Sequence, residues 1–145
     1  MDINPQTIQA MVGYLQQTMS SDANVRRPAE KYLESVEVSQ NYPVVLLSLI
    51  DSDDVDLIIR ISGAITFKNY VKRNWTENDG RRISESDRIA IKQTIISVML
   101  KREDQIQRQL SDAVAIIGKA DFPEKWDRLL GKAILSLSAI CSFRF

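Results

Sequence analysis

The chain has 145 residues, with 19 basic and 19 acidic side chains and therefore a formal net charge of zero. That balance excludes a general electrostatic pull toward nucleic acid or an anionic membrane, and leaves only a local patch open. The absence of histidine and the presence of a single cysteine exclude His-based nucleophile pairs, imidazole metal sites and an intrachain disulfide.

Apolar residues recur at helical spacing from the start. Ile8, Met11, Val12, Leu15 and Met19 form one stripe, entered through Asn4-Pro5, a cap residue followed by a proline at the first helical position. Val25, Ala29, Tyr32, Leu33 and Val36 form a second stripe, preceded by Ser21-Asp22 and with Pro28 expected in its first turn. Tyr42–Ile50 is almost wholly apolar. It has strand-like composition, but its leucines and its helical neighbours predict a short buried helix. Val55–Trp75 is apolar nearly all round, as expected of a helix covered on more than one side. A polar break follows over 76–87, in which Ser84-x-x-Asp87 resembles a capping box for the next helix. Ile91, Ile95, Val98 and Met99, and then Ile106, Leu110, Ala113, Val114 and Ile117, give two further stripes. A last stripe runs from Trp126 to Leu137.

The expected helices are 4–19 with 23–37, 42–51 with 54–74, 85–101 with 104–119, and an unpaired seventh from about 124. A faint repeat marks the second helix of each pair. Asp22-x-x-Val25-Arg26-x-x-Ala29-x-x-x-Leu33 aligns with Asp56-x-x-Ile59-Arg60-x-x-Gly63-x-x-x-Phe67, and more weakly with Glu103-x-x-Ile106-Gln107-x-x-Leu110-x-x-x-Val114. The acid suits a helix N-terminus and the small residue a close helix crossing. Paired helices at a period of about 40 residues predict an all-α HEAT-type or armadillo-type solenoid, with a closed helical bundle as the alternative.

The stretch TFKNYVKRNW (66–75) holds the densest mixture of aromatic and basic residues. On a helix, Phe67, Tyr70, Val71 and Trp75 share one face while Lys68 and Lys72 share another. A single-strand nucleic-acid site needs cations interleaved with accessible aromatics, so the aromatic face is expected to be core. A solvated face is the plain expectation for the lysines. No phosphate-cradling glycine loop, metal-ligand cluster or nucleophile–base pair is present, and neither a cofactor nor an enzymatic activity is expected. Residues 1–20 lack a signal-peptide pattern, and the most apolar stretch, Ala133–Phe143, is about half the length of a bilayer span. Cys141 lies within it and is expected to be a small buried hydrophobe in a reducing compartment.

RRPAEKYLESVE (26–37), QNYPVVLLSL (40–49), TFKNYVKRNW (66–75) and QLSDAVAIIGKADFPEKW (109–126) together resemble the N-terminal region of the importin-β superfamily, and within it the CAS-type exportins. The resemblance runs from about Tyr14 to Leu130, with an importin N-terminal domain at about 29–102 inside a 1–145 HEAT-repeat segment. It implies a HEAT-repeat superhelix whose second helices line the concave face. It also implies binding of the small GTPase Ran in its GTP form, with importin-α as cargo of the full-length receptor, and shuttling between nucleus and cytoplasm. On this basis Lys68, Asn69, Lys72, Arg73 and Asp112 are expected to contact Ran. Pro28, Trp75, Phe122, Pro123 and Trp126 are expected to be structural. Asp127 stands where the family usually has proline, and from Gly131 the pattern is lost, so 124–145 is expected to be a divergent or truncated end. The unpaired apolar stripe there is expected to fray or to drive self-association. The alternative function is a helical-repeat scaffold without Ran-dependent transport activity.

Overall fold

Six helices follow one another: α1 (Pro5–Thr18), α2 (Ala23–Val36), α3 (Tyr42–Ile50), α4 (Leu57–Asn74), α5 (Glu85–Lys101) and α6 (Asp104–Asp121). The structure is a computed structural model that describes residues 1–76 and 83–121. The expected roles of Phe122, Pro123, Trp126 and the helix from 124 lie outside the described residues, as does part of the 76–87 break.

The helix starts follow from local chemistry. Asn4 accepts a hydrogen bond from the Thr7 N–H at 2.8 Å and Pro5 opens α1. Asp22 caps α2 by accepting from the Asn24 N–H at 2.9 Å. Ser84 caps α5 through the Asp87 N–H at 3.2 Å. Two expectations need correction. Pro28 lies in the second turn of α2 rather than its first, because the Asp22 cap starts the helix at Ala23. Asp87 also does not complete a capping box. Its carboxylate accepts the Asn41 N–H at 3.0 and 3.2 Å, a backbone donor 46 residues away.

The helices pair as α1 with α2, α3 with α4 and α5 with α6. The first helices stack in the order α1, α3, α5, and behind them α4 lies along α6. This is the layering of a helical solenoid. Helix α3 sits between α1 and α5 with α4 at its back, which is why seven of its nine residues are buried. The layers close where side chains are small. A Cβ on Gly63 would come 3.1 Å from Leu49 Cδ2 and 3.4 Å from Ile50 Cγ1, so glycine is what admits α3 against α4.

Polar contacts fix successive repeats at both edges. At one edge Asn41, in the left-handed region at φ 72°, donates its side-chain amide to the Met1 carbonyl at 3.1 Å while its N–H reaches Asp87. At the other, Arg60 donates through Nη1 to both Glu103 oxygens at 2.7 and 3.0 Å, and Arg102 donates to Asp53 at 2.6 Å. The arginines of the sequence repeat also fold back alike. Arg26 donates to the Ser20 carbonyl at 3.0 Å and Arg60 to the Val55 carbonyl at 2.9 Å. The acids of the repeat behave differently from one another. Asp22 caps its helix, Asp56 makes no side-chain cap, and Glu103 turns to Arg60.

Candidate functional site

Helix α4 divides its residues between two environments. Ile59, Gly63, Ala64, Phe67, Tyr70, Val71 and Asn74 are buried against α3 and α6. The segregated aromatic face is therefore core: Phe67, Tyr70 and the adjoining Trp75 are each at most 2% exposed. Burial pushes the Tyr70 hydroxyl well above the ordinary tyrosine range and does the same to that of Tyr42; the centroids of the two rings lie 5.2 Å apart.

The opposite face of α4 carries Ile58, Ile61, Ile65, Lys68 and Lys72. Alternating steps of three and four residues place them in one line along the helix. Ile58 is 59% exposed and Ile65 39%, Ile61 and Lys68 are half-buried, and Lys72 is exposed. Among the described residues neither lysine makes an ion pair. The strip thus joins an apolar half, in which Ile58 and Ile65 are exposed and Ile61 packs partly on the core, to a basic half. The apolar half escaped the sequence reading because α4 looked apolar on every side, and periodicity cannot say which side stays uncovered.

The structure separates the other expected contact residues. Asn69 is half-buried beside the strip. Arg73 points away from it and pairs with Glu37, the residue that caps the C-terminus of α2. Asn74 reaches the same Glu37 oxygen at 3.4 Å and bonds the Tyr70 carbonyl at 2.9 Å. Asp112 is exposed on α6, the helix alongside α4.

Trp75, expected to be structural, is buried just past the end of α4. The Arg88 guanidinium lies over its ring at 4.5 Å and the Lys92 ammonium at 5.6 Å. Arg88 also donates to the Trp75 carbonyl at 3.1 Å and to the Ile83 carbonyl at 3.3 Å, tying the start of α5 to the end of α4. Lys92 pairs with Asp121 at 2.7 Å. Sequence reasoning missed these partners, since nothing local links position 75 to 88, 92 or 121.

Among the described residues there is no cluster of three or more metal-ligating side chains, and no helix long and apolar enough to cross a membrane. Chemically, the α4 strip has what a macromolecular contact uses: exposed isoleucines that can be buried, and ammonium groups without an ion pair among the described residues that can meet an anion.

Residues 29–101 match the importin-β N-terminal domain family. The chain is 54% identical over 138 residues to Exportin-2 of Drosophila melanogaster, 50% identical over 136 to that of Xenopus laevis and 47% identical over 136 to that of Homo sapiens. Each match covers 92% of this chain and 14% of the relative. Among solved structures, the exportin Cse1 in its cargo-free, cytoplasmic state matches with a TM-score of 0.78 and 28% identity, over 86% of this chain and 13% of that one.

Proposed function

The chain belongs to the importin-β superfamily, and from that premise we propose that it is the Ran-recognising N-terminal segment of a CAS-type nuclear export receptor. The chain spans about one seventh of the curated relatives it matches, which is 14% of their length. Export of importin-α is accordingly proposed for the full-length receptor, which binds RanGTP and importin-α together and shuttles between nucleus and cytoplasm.

The observation that supports this function best is the uncovered strip of α4. It lies in the second-helix layer, the side on which the family resemblance puts Ran. It combines exposed Ile58 and Ile65 with Lys68 and Lys72, which make no ion pair among the described residues. Isoleucines in such a strip contribute affinity through burial, and the lysines mainly set association rate and specificity. Asn69 and Asp112 extend the surface to either side, and Arg73 joins it only by leaving Glu37.

The test is the affinity of GTP-bound Ran for the chain carrying Lys68→Glu and Lys72→Glu. Reversing both charges is expected to weaken binding about tenfold or more, chiefly through slower association. Two acids added by Gln16→Glu and Gln17→Glu on α1, in the first-helix layer, are expected to leave it nearly unchanged. Equal effects at the two places would contradict the assignment of the strip.

A further inference from the structure

Arg73 differs from its basic neighbours in already holding an anion. Its guanidinium sits on Glu37, whereas Lys68 and Lys72 meet no carboxylate among the described residues. The two partners are unequally wet: the Glu37 side chain is 17% exposed and that of Arg73 55%. Glu37 is also anchored. It caps the C-terminus of α2, its backbone N–H bonds the Leu33 carbonyl, and the Asn74 amide lies 3.4 Å from the oxygen that Arg73 uses. Glu37 is therefore the fixed member of the pair, and Arg73 is an exposed arm that can swing. If Arg73 leaves, Glu37 keeps one polar donor.

We propose that Glu37 is an internal decoy for the anion-binding strip: it occupies Arg73 until an incoming partner presents a carboxylate to replace it. This rests on the Ran-binding function proposed above and adds a regulatory contact to the same surface. Exchange of one carboxylate for another around the same guanidinium is nearly balanced. The contact therefore discriminates more than it blocks. A partner with a correctly placed acid recovers what Arg73 gives up, and a partner without one meets an arginine already neutralised.

The experiment measures association and dissociation of Ran, loaded with a non-hydrolysable GTP analogue, on the wild-type chain and on Glu37→Gln, Arg73→Gln and the double variant. Glu37→Gln is expected to bind about two- to five-fold tighter, the size of an exposed ion pair released for intermolecular use. Arg73→Gln alone is expected to change binding little, and in the Glu37→Gln background to erase the gain. Glu37→Asp, with its carboxylate drawn back by one methylene, is expected to fall between wild type and Glu37→Gln, and it replaces Glu37→Gln if that variant melts early. Unchanged or weaker binding by Glu37→Gln, with Lys68→Glu/Lys72→Glu still defective, overturns the decoy and leaves Ran recognition standing. No binding by any variant in either nucleotide state overturns both.

Discussion

Single residues carry the tightest constraints in this chain, and Trp75 is one of them. It is 2% exposed and stacked under two cations from α5, so it joins α4 to the next repeat by burial and by charge together. Trp75→Ala is expected to cost about 3–5 kcal/mol, as truncation of a buried aromatic does, measured by urea unfolding. A cost below about 1 kcal/mol would contradict the role given to it. Tyr42 and Tyr70 make a different kind of claim. Burial holds both hydroxyls protonated above their ordinary value of 10.0. Their contribution to stability is therefore complete below that value and is lost as pH rises through it, because only the unfolded chain then releases the protons. The melting temperature is expected to fall above about pH 10, and the fall to flatten when both tyrosines are replaced by phenylalanine. Asp53 is held below the usual carboxylate range by its hydrogen bond to Arg102, but it is fully exposed, so acid is expected to do less.

At the scale of elements, the six helices of the described residues were legible in the sequence, but not every boundary: α4 starts at Leu57 rather than 54, and α6 runs on to Asp121 rather than 119. Apolar spacing marks a helix directly, and Asn4, Asp22 and Ser84 each cap the helix they precede. The partners of polar side chains were not legible. Glu37 and Arg73 are 36 residues apart, Asn41 and Asp87 are 46 apart, and Ser84-x-x-Asp87 reads as a closed local motif until Asp87 turns to a distant backbone. Periodicity reports which face a residue occupies and says nothing of what stands opposite. The faint repeat was sound at its centre and loose at its edge. Ile59 and Ile106 are buried, while the equivalent Val25 is 41% exposed, because α2 packs on α1 whereas α4 is flanked by α3, α6 and α1. Two predictions belong here. Gly63→Leu is expected to cost about 1–3 kcal/mol, since Leu49 and Ile50 are fully buried and have nowhere to move. A double-mutant cycle on Arg60 and Glu103 is expected to return a coupling of about 1 kcal/mol between successive repeats. A coupling near zero would make that pair incidental to how the repeats are held together.

For the whole molecule, a chain of zero net charge presents, among the described residues, a strip where exposed isoleucines and lysines without an ion pair lie in line, on a scaffold of the importin-β type. The sequence marked the basic half of that strip as a candidate and hid the apolar half. It also grouped Arg73 with the lysines, where the structure holds it on Glu37. A surface of this composition gains most of its affinity from burial and its selectivity from charge, so its binding should depend on salt without being abolished by it. The measurement that bears most directly on this is a titration of the immobilised chain with Ran carrying a non-hydrolysable GTP analogue and then with Ran carrying GDP, each at low and high salt. Binding of the GTP form alone, moderately weaker at high salt, is expected. Equal binding of the two forms, or binding of neither, would contradict Ran recognition by this chain and favour a helical-repeat scaffold with another partner.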